Sequence, residues 1–234
     1  MTDEKPLNEL PERNVTDHFR DAIVIMAGII PFPVSDILDR FLPSSLAKRQ
    51  QEWQKRVAQG LVILQEQFNI MPETLTKNEV FTTALIEATW IAIRHHQEEQ
   101  LEYFRNMVLN SALPDSPDDD IQKMFFRMVS DFTPWHIKLL EFFSQPDWSI
   151  ELDYEDKDLE GLPLDLFDRI QKKFSELQGK SGFVTLAFSD LVKVRLITLG
   201  HRDLFHRVDG FTLNMITDFG HQFLKFVKSP LKDS

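Results

Sequence analysis

Residues 44–68 read SSLAKRQQEWQKRVAQGLVILQEQF. Leu46, Trp53, Val57, Leu61, Leu64 and Phe68 recur at spacings of 7, 4, 4, 3 and 4, which is the repeat of one helix face and not the alternation of a strand. Lys48, Arg49, Glu52, Lys55, Arg56 and Gln65 occupy the other faces. The stretch predicts an amphipathic helix with a core seam and a solvated back.

The same grammar extends in both directions. Residues 1–15 are polar, contain Pro6 and Pro11, and read as a flexible arm. Thr16 can cap a helix running through Phe19, Ile23 and Met26, and Ser35 a short turn, DILDRFL, that Pro43 stops. On the other side, Thr76–Lys77–Asn78–Glu79 has the form of a capping box. No Gly or Pro interrupts the following residues as far as Ala112, so one long helix is expected, apolar on nearly all sides around Val80–Ile93. Ser116 followed by Pro117 and three aspartates is a further start signal. Ile121, Phe125, Met128 and Phe132 follow it at helical spacing. Thr133–Pro134 then restarts the helix, which continues through Ile137, Leu140 and Phe143. Residues 16–145 therefore predict an α-helical bundle or array, and the fold class is mainly α.

The chain has 234 residues, 26 Lys+Arg against 37 Asp+Glu, and a formal net charge of −11. That balance argues against indiscriminate coating of nucleic acid or anionic membrane. The absence of Cys excludes a disulfide framework, a thiolate zinc site and a thiol nucleophile. The longest apolar run, Ala22–Val34, is shorter than the roughly 20 residues a membrane span requires, and Pro31 and Pro33 interrupt it. Acidic residues precede it where a secretory leader carries cations. No transmembrane segment and a cytoplasmic setting are expected, with Ala22–Val34 as a buried helix.

Residues 146–162 hold seven acids against Lys157 and read as an acidic connector. Residues 163–234 differ in kind. Pro163 can open a helix with Leu164, Phe167, Ile170, Phe174 and Leu177 on one side and Gly179 at its end. A second helix is expected from Phe183 to about Arg195. Leu196–Leu199, a loop with Gly200 and Gly210 and an apolar piece around Phe211–Ile216 follow as a β-ribbon, and then a final helix capped by Thr217 and packed by Phe219, Phe223, Leu224 and Val227. The order helix, helix, ribbon, helix, with DLVKVRLI followed by MITDFGHQFLKFV, resembles the winged-helix-like tails of bacterial proteins, some of them associated with phage defence. The resemblance covers a third of the chain and implies a small α+β module that docks proteins or contacts DNA.

Few residues carry chemistry. The seven histidines have no local Ser/Asp partner, and G-x-S-x-G and Gly-rich phosphate loops are absent. His201–Arg202–Asp203 and Asp218–Phe219–Gly220 echo kinase motifs, but Val208 stands where the metal-binding Asn would fall and no Gly-rich loop precedes them. Gly220 reads instead as a small residue in the first turn of a packed helix. His95 and Glu99, at i and i+4 on the expected long helix, are the candidate metal pair. Lys193, Arg195, Arg202 and Arg207 are the candidate phosphate contacts of the tail, whose balance is locally positive. In the adjacent pairs Phe125–Phe126 and Phe142–Phe143 one ring must leave the main stripe. That makes Phe126, Phe143 and Trp135, beside Pro134, the candidate interaction face.

The sequence thus favours a non-enzymatic interaction or regulatory protein that meets a protein partner or forms a homodimer and requires no cofactor. The competing readings are a DNA-associated regulator using the tail, a membrane-active or defence-type effector using Ala22–Val34, and a metal-dependent enzyme at His95 and Glu99.

Overall fold

A computed structural model describes residues 44–145, 164–198 and 215–231, together with Ala22, Val24, Gly28 and Ile29. The described chain is mainly helical: α1 (Ser44–Phe68), α2 (Pro72–Leu75), α3 (Glu79–Ala92), α4 (Glu98–Ser111), α5 (Asp119–Asp131), α6 (Pro134–Phe143), α7 (Leu164–Lys173), α8 (Ser181–Lys193) and α9 (Asp218–Val227). A single 3-10 turn, Ser175–Leu177, links α7 to α8. The expected arm 1–15, the helices from Thr16 and Ser35 and the connector 146–162 lie outside the described residues.

Two compact units emerge. One takes the described parts of 1–96 and 229–234 together with 108–116; the other takes 97–107 and the described part of 117–228. In the first, α1 buries Trp53, Val57, Leu61 and Leu64, the stripe read from the sequence, although its last member, Phe68, is exposed. The Trp53 Nε1–H donates to Thr89 Oγ1 on α3 (3.0 Å), and that hydroxyl donates to the Leu85 carbonyl (2.7 Å). A buried indole N–H is thereby satisfied across the helix pair.

The long helix expected from 79 to 112 is two helices, broken at 93–97. Neither Gly nor Pro breaks it. The end of α3 is closed by backbone bonds from Ile93 to Ile91 and Thr89, and Arg94 Nε caps the Trp90 carbonyl (3.2 Å). Glu98 and Glu99 then begin α4, where acids complement the helix dipole. The caps are displaced from the expected positions by two residues each. Asn78, not Thr76, caps α3 by accepting the Phe81 N–H (3.1 Å), because Thr76 ends α2. Asp118, not Ser116, caps α5 by accepting the Ile121 N–H (3.1 Å).

The second unit has a phenylalanine core. Phe125 meets Phe219, Phe223 and Phe226 of α9 with centroids at 5.1, 5.2 and 5.8 Å, and Phe126 meets Phe104 and Phe226 at 6.4 and 6.2 Å. Two buried amides fix the surrounding helices. Gln100 donates to the carbonyls of Val129 and Phe132 (2.9 and 3.2 Å), and Asn106 to that of Val227 (3.1 Å). α6 packs on both α8 and α9.

The segment FVTLAF, which could begin a strand, is helical within α8. No strand occurs among the described residues. An isolated antiparallel bridge pairs Ile197 with Ile216, one residue from each of the expected apolar pieces, and residues 199–214, which hold the rest of the ribbon and its loop, are outside the described set. α8 ends in a Schellman arrangement: the Leu196 N–H bonds to the Leu191 carbonyl and the Arg195 N–H to that of Val192, both at 3.0 Å. Arg195 takes the left-handed position with φ 64°, where a non-glycine residue costs roughly 1–2 kcal/mol. Thr217 caps α9 as expected. It accepts the Gly220 N–H (2.9 Å) and donates to the Arg195 carbonyl (2.7 Å).

Gly220 is required by this junction. A Cβ there would overlap the Leu196 carbonyl oxygen and sit 2.7 Å from the Ile216 side chain, whereas a Cβ on Gly182 in α8 meets open space. Gly220→Ala is expected to destabilise the fold by about 1–3 kcal/mol. Gly182→Ala is expected to stabilise it by about 0.4–1 kcal/mol, because it restricts only the unfolded chain. Urea denaturation followed by circular dichroism measures both.

Candidate functional site

In the second unit α5 and α8 leave a groove of about 440 Å³ between them. α5 and the residue after it supply Met124, Arg127, Met128, Asp131 and Phe132; the end of α8 supplies Asp190, Lys193 and Val194. The lining follows from helical geometry. Met124, Arg127 and Asp131 stand on the solvent side of α5, opposite the buried Gln122, Phe125, Phe126 and Val129. Met128 and Phe132 form the floor at the edge of the core, 9% and 7% exposed. The result is an apolar bed with two cations and two anions along it.

One buried titratable group stands behind the wall. His136, only 6% exposed, stacks on Phe132 with ring centroids 4.6 Å apart and planes within 6°. Its Nδ1 accepts the Thr133 backbone N–H at 3.1 Å, so the imidazole closes the first turn of α6 as a returning cap. That bond needs the Nδ1 lone pair and places the neutral ring's proton on Nε2, which lies 3.6 Å from Asp190 Oδ2. Burial pushes the His136 imidazole below its usual value, against the opposing pull of Asp190. Asp190 and Phe132 thus each touch His136 and the groove.

A separate polar belt joins α4, α6 and α9. Glu99 pairs with Lys138 (2.8 Å), and Glu141 with Lys228 (3.4 Å). The Tyr103 hydroxyl is held well above its usual value by burial and by the charges of Glu99 and Glu141. Such bridges contribute little individually and serve to orient helices.

No family model, curated protein or solved structure matches the chain.

The structure distributes the sequence-derived candidates as follows. His95 lies in the turn after α3, while Glu99 is in the first turn of α4 and bonded to Lys138. The shared helix face on which the metal reading rested is therefore not formed, because the helix breaks between them. Among the described residues no group of three His, Asp or Glu converges as a metal site. Phe126 and Phe143 are 2% and 1% exposed: the former packs on Phe104 and Phe226, the latter on Phe142 and Phe188. Both rings find their neighbours inside the same unit. Trp135 is half-buried, edge-on to Phe174 and covered by Lys138 Nζ at 4.8 Å. Lys193 and Arg195 are exposed, and Arg202 and Arg207 lie outside the described residues. So does most of Ala22–Val34. No described helix is long and apolar enough to cross a membrane.

The groove and the His136–Asp190 pair were missed in the sequence, since their residues are separated by more than fifty positions. The available signal was local: a His three residues after a Thr-Pro start can return to the cap.

The direction of the His136 shift fixes a pH dependence. Just below pH 6.5, its ordinary value, the unfolded chain takes up a proton that the folded chain refuses. Stability therefore falls as pH drops through that window, and above it His136 adds no pH dependence. In urea titrations across the window, the stability difference between the native chain and His136→Gln is expected to shrink toward acid. In NMR titrations, Asp190→Asn is expected to lower the His136 midpoint further, because it removes the favourable charge.

Proposed function

We propose that the chain is a non-enzymatic helical interaction protein and that the α5–α8 groove is its docking surface. The observation that supports this reading is the lining: Met124, Met128, Phe132 and Val194 form an apolar bed, and Arg127, Asp131, Asp190 and Lys193 are distributed along it. An amphipathic helix recognised in a groove buries apolar residues at i, i+3/i+4 and i+7 in such a bed and meets charges at its edges. Methionine side chains adapt their shape to the guest.

A displayed library of amphipathic helical peptides, selected against the full chain, tests the proposal. Enriched peptides are expected to bind Met124→Glu and Val194→Glu at least tenfold more weakly, while melting curves confirm that both variants fold. Failure to enrich any peptide, or equal binding to the variants, would overturn it.

A second reading, DNA contact through a winged-helix-like module, draws support from one feature. The Ile197–Ile216 bridge brackets residues 199–214 as the stem of a wing would, with the exposed Lys193 and Arg195 at its base. Under this reading duplex DNA is retarded in a gel, retardation weakens with salt, and Lys193→Glu with Arg195→Glu abolishes it. Absence of retardation at low salt rejects the reading.

A further inference from the structure

We infer that the occupant of the α5–α8 groove is a second copy of this chain, an inference that rests on the docking role proposed for that groove. The argument begins with charge. A chain of net charge −11 repels its own copies over most of its surface. The groove is locally balanced, with Arg127 and Lys193 against Asp131 and Asp190. Each helix, moreover, contributes one charge of each sign.

That distribution has the self-complementarity demanded by a two-fold interface. In an isologous contact a residue i meets j of the other copy, and j meets i in return. A face with one cation and one anion on each helix can satisfy both halves of such a contact with opposite charges. A partner of different sequence imposes no such balance, and a net charge on this face would steer it more effectively.

The surface beside the groove supports the same occupant. Ahead of its last turn α8 exposes Ser181, Gly182, Thr185, Leu186 and Ser189 without one charged side chain, although 27% of the chain is charged; its own charges, Asp190 and the exposed Lys193, are confined to the last turn. Depletion of charge marks the core of an interface. Leu186 is 61% exposed, and Met124 across the groove is 47% exposed. Leu186, Asp190 and Lys193 follow at i, i+4 and i+7, so the apolar anchor and the two charges share one side of α8.

Sedimentation velocity of the full chain over a wide concentration range tests the inference. A concentration-dependent shift from monomer to dimer is expected. Leu186→Asp and Met124→Asp are each expected to weaken it at least tenfold, with unchanged circular dichroism and melting as the folding control. Charge exchange supplies the specific readout. Arg127→Asp with Lys193→Asp makes the face wholly acidic, and Asp131→Lys with Asp190→Lys makes it wholly basic. Each double variant alone is expected to remain monomeric, and an equimolar mixture to recover the dimer. A native chain that stays monomeric throughout overturns the inference, as does a dimer indifferent to these substitutions. If helical peptides still bind the groove in either case, the docking role stands and only the second copy is excluded; if they do not, both fall.

Discussion

The ring of Phe125 sets the arrangement of the second unit. It is enclosed by three rings of α9, one of them edge-on, and it is fully buried. Its neighbour Phe126, about 100° further around the helix, is held between Phe104 and Phe226. Two adjacent rings seated against two different helices leave α5 no freedom to rotate. The side of α5 that faces water is fixed in consequence, and with it the line of Met124, Arg127 and Asp131. The groove is the outward expression of an aromatic core.

The polar groups inside that core have a related task. Gln100 and Asn106 bond to carbonyls near helix ends at Val129, Phe132 and Val227, groups that have no partner within their own helices. His136 does the same for the Thr133 N–H at the start of α6. Each interaction satisfies a group whose burial unpaired costs about 1–3 kcal/mol, and the two amides each tie one helix to the end of another. His136 differs because its protonation is a variable. It connects the cap of α6, the stack on Phe132 and the Asp190 carboxylate, two of which border the groove.

Much of the helical content was legible because it depends on short spacings. The stripe from Trp53 to Leu64, the restart at Thr133–Pro134 and the cap at Thr217 all follow from residues within a turn or two of one another. The break between α3 and α4 was not legible, since it is made by a basic side chain capping a carbonyl and by acids opening the next helix, without a Gly or Pro to mark it. Asp118 replaced Ser116 as a cap because several adjacent residues in that stretch are competent caps. Exposure was harder to read than helicity: Phe126 and Phe143 are both buried, and which helix receives them depends on contacts across long sequence separations. The pairing of α5 with α8, and of His136 with Asp190, lies beyond any periodicity argument.

The Ile197–Ile216 bridge has an architectural consequence. With the Thr198 N–H bonded to the Met215 carbonyl at 2.8 Å and the Thr217 N–H to that of Leu196 at 3.0 Å, residues 196–198 and 215–217 are clamped side by side within the second unit. Doubling the length of a chain segment between fixed ends costs about 0.6 kcal/mol, so the clamp holds the entry to α9 against the exit of α8 at a closure cost that depends only weakly on the number of residues between them. The bridge thereby acts as a buckle, setting where α9 begins relative to the end of α8.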